Sequence, residues 1–283
     1  MSSTDKLSNP RFPRASKYHP DWILTNASSG GPSLQIAEWL SEAIELKPGM
    51  RVLDLGCGKA STSIFFAREF GCEVWACDLW FSASDNHRRI KDAGLEGKII
   101  PLHLDARSLP FPSEFFDAVL CIDAFYYFGG DPMYLNYLAN FVKVGGRIGI
   151  AGAGLTREVD VLPEHLCEWW SQDLWALQSA AWTRRHWART GIVEVEVADS
   201  LPDGWKVWLD WHHALGLSLD DKLGAHSRQE IAAIEADQGR TLGYVRAVGR
   251  RLPNVKLEEY CWPDPLRVMP SETYEKKPLM RET

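Results

Sequence analysis

The sequence predicts an α/β protein, a mostly parallel seven-stranded sheet flanked by helices, and three observations predict it. Short apolar runs bounded by turn residues alternate with stretches of helical periodicity through the first half of the chain. The run at 51–55 closes in a glycine-rich turn, Gly56-Cys57-Gly58-Lys59-Ala60, that opens directly into the helical SIFFAREF. Three successive runs carry an acid at or near their ends, Asp54, Asp78 and Asp105.

Residues 1–32 are rich in Ser, Pro and Asn and read as an N-terminal arm, with Ser28-Ser29-Gly30-Gly31-Pro32 as a hinge. Such an arm is either a floppy tail contributing nothing to the core or, given its Tyr18, His19 and Trp22, a mobile segment that closes over a ligand. Ile36, Trp39, Leu40 and Ile44 follow i, i+3, i+4, i+8 spacing, so 33–46 reads as an amphipathic helix stopped by Pro48-Gly49. The run 72–78 ends in Asp78, twenty residues beyond the glycines. In a right-handed βαβ unit it lies beside the first strand, so Asp78 faces the same crevice and can accept from both hydroxyls of a ribose. A helix over 84–94 and a third strand over 98–106 follow, the latter with Asp105, an acceptor suited to the exocyclic amine of adenine. A lone strand-end acid is more often a helix cap or a solvated turn; three in succession argue for a ligand crevice. A fourth strand follows Phe116-Asp117, and Asp131-Pro132 then start a helix with Tyr134, Leu138 and Phe141 on one face, stopped by Gly145-Gly146. The fifth strand is 147–151, and 191–199 and 242–251 are two later ones.

Asp54 bears on the ligand. A carboxylate just before Gly56 repels a pyrophosphate and attracts an ammonium or sulfonium, which favours S-adenosylmethionine over NAD. RVLDLGCGKA resembles the first motif of the class I S-adenosylmethionine-dependent methyltransferases, with Ala60 where those proteins often carry a third glycine. Leu109-Pro110-Phe111, Phe116-Asp117 and Val119 resemble their "lPF...FD.V" pattern, and KVGGRIGIAG their post-motif glycines, so the resemblance runs from about residue 33 to 152. It is closest to the ubiquinone/menaquinone-biosynthesis type of small-molecule enzyme.

The resemblance implies a Rossmann-like class I methyltransferase fold and methyl transfer from S-adenosylmethionine, leaving S-adenosylhomocysteine. It places Asp54, Gly56 and Gly58 on the methionyl portion, Asp78 on the ribose and Asp105 at the adenine, with Leu79, Ala106 and Ile122 as further cofactor contacts. Any proton leaving the acceptor is expected to go to a group at the end of the fourth strand, with Tyr126 and Asp123 the catalytic candidates. Tyr18, Trp22, Tyr127, Trp170 and His186 are candidate acceptor contacts; His103, inside a strand, reads as a core histidine, and His19, His212 and His213 are candidates by location only.

The expected domain is 33–252, with cover inserts at about 153–190 and 200–238, followed by a polar tail at 253–283. The inserts hold most of the tryptophans, which read either as plain packing, since Trp205, Trp208 and Trp211 have helical spacing, or as walls of a pocket for an apolar, aromatic or cationic acceptor. A net charge of -7, with Lys6, Arg11, Arg14 and Lys17 as the one basic run, argues against nucleic acid as a partner. The six cysteines include no C-x-x-C pair, so neither a metal frame nor disulfides are expected, and no run of about 18 apolar residues suggests a membrane span. A cytoplasmic location is the default expectation. Two other classes remain as alternatives: a cyclopropane-fatty-acid-synthase-like lipid-modifying enzyme, although that family's Glu-His element is missing at 124–128, and a macromolecule-modifying or non-catalytic cofactor-binding module.

Overall fold

The computed structural model describes residues 7–28, 31–215 and 222–257. Seven strands form one sheet in the order β3-β2-β1-β4-β5-β7-β6. These are β1 (Arg51–Leu55), β2 (Glu73–Asp78), β3 (Ile99–His103), β4 (Phe116–Ile122), β5 (Val142–Leu155), β6 (Val193–Ser200) and β7 (Leu242–Arg251). The first five are parallel neighbours, and β7 inserts antiparallel to both β5 and β6.

Alternation along the central strand decides which helices cover which face. Val52 joins one core layer with α2 (Ser33–Ser41), α3 (Ser61–Phe70) and α4 (Ala83–Asp92), whereas Leu53 and Leu55 join the opposite layer with α5 (Tyr134–Ala139) and α6 (Ala180–Thr190). Asp54 has the parity of Val52 and therefore lies beneath α3. Chain order reverses between β1 and β4, the place where an open α/β sheet leaves a crevice outside its strand ends.

Several boundaries differ from the sequence expectation, each for a local reason. Helix α2 ends at Ser41, five residues short of the apolar period. Asp131 does not cap α5 directly; its carboxylate accepts from Met133 N at 2.8 Å, a turn ahead of a helix that begins at Tyr134. Gly145-Gly146 lie inside β5, where Gly145 has φ +78° and the register with β4 slips, so they make a bulge and not a helix stop. Strand β3 ends at His103, which is exposed on this edge strand and bonds Leu79 O at 2.7 Å; it is not a core histidine. Asp105 stands two residues beyond, in the following turn.

The arm is not a floppy tail. Its described part contains the short helix α1 (Pro20–Asn26) and buries Phe12 completely. Glu38 on α2 accepts from Arg14 N at 3.0 Å and Ala15 N at 2.7 Å, and Gln35 Nε2 donates to Leu7 O at 3.0 Å. Removing a buried phenylalanine costs about 3–5 kcal/mol, so deleting residues 1–27 would not leave the fold intact. The basic run is spent on intramolecular partners: Arg11 pairs with Glu42, Lys17 with Glu69, and Arg14 donates to Glu69 O. Lys6, Ser29, Gly30 and the tail from 258 lie outside the described residues.

Most tryptophans of the inserts serve packing. Trp169, Trp187, Trp208 and Trp211 are buried; Trp208 on α7 (Gly204–Leu215) sits 6.0 Å from Trp169 and 5.2 Å from Tyr244, ring to ring. Helix α7 pairs with α8 (Lys222–Asp237) against β7. Among the described residues no helix is long and apolar enough to cross a membrane.

Candidate active site

The crevice at the strand ends opens into a cavity of about 320 Å³, within the size range of small-molecule sites. The segments that follow β1, β2, β3 and β4 line it, together with Ser28, Gly31 and Ser33 from the arm and the start of α2.

The glycine turn is tied to the end of β2. Gly56 N and Cys57 N both donate to Cys77 O, at 2.8 and 3.0 Å, and Gly58 N donates to Asp78 Oδ2 at 2.8 Å. Gly56 has φ +77°, and a Cβ there would stand 2.5 Å from Ala124 Cβ. The position of the frequent third glycine, Ala60, is left-handed at φ 61°. Glycine suits that position for its backbone as well as for helix packing, and alanine carries a cost of about 1 kcal/mol.

Asp78 lines the cavity. Besides Gly58 N, its carboxylate accepts from Trp80 N at 2.7 Å and Phe81 N at 3.0 Å. A carboxylate offers about four lone-pair sites, so roughly one remains for a ligand hydroxyl rather than two. Asp105 spends its carboxylate on the Arg107 guanidinium in a two-point pair at 3.1 and 3.0 Å, and the two residues line the cavity together. Leu79, Ala106 and Ile122 also line it.

Asp54 does not reach the cavity surface. It is fully buried, and its Oδ2 accepts from the Thr62 and Ser63 hydroxyls at 2.6 Å each. Its Oδ1 is buried without a partner. Burial pushes its carboxyl up to about 6 against the pull of the two hydroxyls.

The far end of the cavity lies beyond β4. Asp123 holds a left-handed backbone at φ 53°, donates its N–H to Ala151 O at 2.7 Å and accepts from Ala153 N at 3.1 Å. The short 3-10 helix Phe125–Tyr127 follows; the Tyr126 and Tyr127 rings lie 4.5 Å apart and Tyr127 meets Trp80 at 5.0 Å. Tyr126, Tyr127 and Phe128 line the cavity with Asp123. Burial pushes Asp123 up to about 6; the Ala153 N–H and His212 pull it down, and Glu230 pushes it up. Burial, with the Asp123 charge, keeps the Tyr126 phenol far above its ordinary range, which favours its protonated form.

The raised carboxyl of Asp123 has a consequence for stability. Folding favours its protonated form, so its penalty is absent at low pH and grows as pH rises from about 4, the unfolded value, to about 6. Thermal melts of the protein alone should therefore show the parent losing stability relative to Asp123→Asn across that window, then levelling off. A constant difference would mean that Asp123 titrates normally.

The arm borders this end of the cavity. A Cβ on Gly31 would stand 2.8 Å from both Asp123 Oδ2 and the Tyr244 hydroxyl, and one on Gly58 would stand 2.5 Å from Ser28 Oγ. Lys59 Nζ donates to Thr25 O at 3.2 Å, joining α1 to the glycine turn.

Four expected acceptor contacts lie elsewhere. Tyr18 packs on Trp22 and Phe65, ring centroids 5.3 and 5.9 Å away, with its hydroxyl toward Glu69. Trp170 packs beside Trp169, and His186 stacks on Trp182 at 4.8 Å on α6. None of the four lines the cavity. Trp80, Phe81, Arg107 and Phe128 do; the first three stand two or three residues past Asp78 or Asp105, and Phe128 follows the 3-10 helix beyond β4.

The sheet order and this crevice define the class I S-adenosylmethionine-dependent methyltransferase fold. Residues 52–146 match the family model described as a methyltransferase domain. Among curated relatives, the methyltransferase GfsG of Streptomyces halstedii is 27% identical over 118 residues, 41% of this chain and 42% of that protein. The ubiquinone/menaquinone biosynthesis C-methyltransferase UbiE of Vibrio campbellii is 28% identical over 137 residues, 47% of this chain and 52% of that protein. The match thus spans about half the length of these relatives. The solved geranyl diphosphate C-methyltransferase of Streptomyces coelicolor, crystallised with S-adenosyl-L-homocysteine, superposes with a TM-score of 0.62 at 15% identity, covering 89% of this chain and 98% of that one. That likeness shows the fold.

Proposed function

We propose that this chain transfers the methyl group of S-adenosylmethionine to a small-molecule acceptor by in-line displacement. The observation that carries the reading is a single cavity running from the Gly56–Gly58 turn and Asp78 to Asp123, Tyr126 and Tyr127. The chain fits the cofactor: the turn leaves no room for a Cβ, and Asp78 keeps acceptor capacity for a ribose hydroxyl. When bound, the cofactor supplies an activated sulfonium methyl, so the protein mainly has to aim an acceptor lone pair and exclude water. Gly56 and Gly58 admit the methionyl portion, Asp78 takes the ribose, and the Leu79, Ala106 and Ile122 surface sits at the adenine. The acceptor lies against the aromatic end, oriented by the Tyr126 hydroxyl, with Asp123 available for its proton. The arm, through Ser28 and Gly31, contributes to the cover.

Incubating the protein with methyl-labelled S-adenosylmethionine and a metabolite extract tests this reading. Label should appear in a low-molecular-mass compound and S-adenosylhomocysteine should accumulate. Label in protein, nucleic acid or fatty-acyl chains alone would favour one of the alternatives. With the acceptor in hand, Tyr126→Phe should lower kcat/KM by roughly 10 to 100-fold if the hydroxyl orients the acceptor. An unchanged rate would reduce Tyr126 to a packing residue.

A further inference from the structure

The acceptor end of the cavity carries a carboxylate. Asp123 is partly exposed there, its Oδ1 is held by the Ala153 N–H, and its Oδ2 faces Gly31. Among the described lining residues the cation is Arg107, which is clamped on Asp105 beyond β3, three strands away in the sheet. Behind Asp123, Glu230 and His212 form a buried pair, Nε2 to Oε1 3.2 Å, with Trp208 Nε1 donating to Glu230 at 3.0 Å and His212 Nδ1 against Ser227 at 3.0 Å. Asp123 lines the cavity, so a cationic ligand there would meet its carboxylate.

A second polar group lies beside it. The Tyr244 hydroxyl is completely buried, has no partner among the described residues, and packs with Asp123 Oδ2 against Gly31. Tyr126, Tyr127 and Trp80 line the same cavity and contact one another in series, with Trp80 largely exposed. Aromatic faces beside a carboxylate attract organic cations and reject anions.

We infer that the acceptor is an amine, whose ammonium form docks on Asp123 among Tyr126, Tyr127 and Trp80. This inference rests on the methyltransferase reading and narrows its acceptor class. For a primary or secondary amine, the ammonium gives one N–H proton to the Asp123 carboxylate. The freed nitrogen lone pair forms the N–C bond to the transferred methyl as the C–S bond breaks, its electron pair returning to sulfur. The product is the methylated ammonium, and Asp123 returns its proton to water when the site opens.

Calorimetry on the full chain saturated with S-adenosylhomocysteine tests it, using choline and its neutral isostere 3,3-dimethylbutan-1-ol as probes. Choline should bind at least about tenfold tighter than the alcohol. In Asp123→Asn that preference should fall at least about tenfold while S-adenosylhomocysteine binds nearly as in the parent. Should Asp123→Asn not fold, Tyr127→Leu, which alters a half-exposed ring, should reduce the preference by about three- to tenfold. Equal affinity for the two probes, a preference untouched by either variant, or no binding of either probe would overturn the amine assignment and leave the cofactor reading standing. Failure to bind S-adenosylhomocysteine at all would overturn the cofactor reading, and the amine inference with it.

Discussion

Replacing Gly56 by alanine is expected to weaken S-adenosylhomocysteine binding by at least about 30-fold. Two penalties meet at this residue. Its φ of +77° disfavours any side chain, and the new Cβ would stand 2.5 Å from Ala124 Cβ, an atom fixed to the backbone just beyond β4. Relief requires the turn or the β4 end to move by several tenths of an ångström, and either movement displaces the edges of the cavity. Gly49→Ala is the control, because Gly49 shares the left-handed backbone at φ +78° but meets nothing within 4 Å. The control should lose about 1–2 kcal/mol of stability with unchanged ligand affinity, whereas Gly56→Ala should lose both. Titration calorimetry alongside thermal melts separates the two; equal ligand affinity in parent and Gly56→Ala would mean that the turn does not touch the ligand.

Asp78→Ala should be the other severe lesion, lowering cofactor affinity by about 100-fold and stability by at least about 2 kcal/mol. Three backbone N–H groups, of Gly58, Trp80 and Phe81, lose a charged acceptor together, and hydrogen bonds to charged groups are worth about 1.5–3 kcal/mol each. The variant that looks mild on paper is not. Both oxygens of Asp78 accept from N–H groups, so in Asp78→Asn the amide nitrogen must face a donor whichever way the side chain turns. Asp78→Asn should therefore bind the cofactor closer to Asp78→Ala than to the parent. Calorimetry giving parent-like affinity for both variants would remove Asp78 from the ligand site.

The sheet and its crevice were legible because strand runs and their terminal turns leave local signals. The 242–251 strand agrees to the residue, and Gly56, Gly58, Asp78 and Ile122 fall where the strand-end rule places them. Strand parity also foretells the position of Asp54: it shares the side of Val52, beneath α3, so its carboxylate meets Thr62 and Ser63 before it can meet a ligand. What a one-dimensional reading misses is where aromatic residues point. Tyr18 and Trp22 look like ligand contacts in a polar arm, yet Tyr18 packs on Phe65 of α3 and Trp22 on Tyr18; Trp80, a single tryptophan after Asp78, lines the cavity. The partners of Tyr18 and Trp80, Phe65 and Tyr127, lie far away in sequence, and no local pattern encodes such pairs. The same holds for Gly31, whose need for a bare Cα arises from Asp123, just past β4, and Tyr244, on β7.

The most direct test of the account is calorimetric titration of the full chain with S-adenosylmethionine, S-adenosylhomocysteine and NAD. The glycine turn with an acid beneath it and the single remaining acceptor of Asp78 predict one-to-one binding of both sulfur compounds, lost in Gly56→Ala, with NAD silent. Tight binding of NAD with no response to either sulfur compound would contradict it.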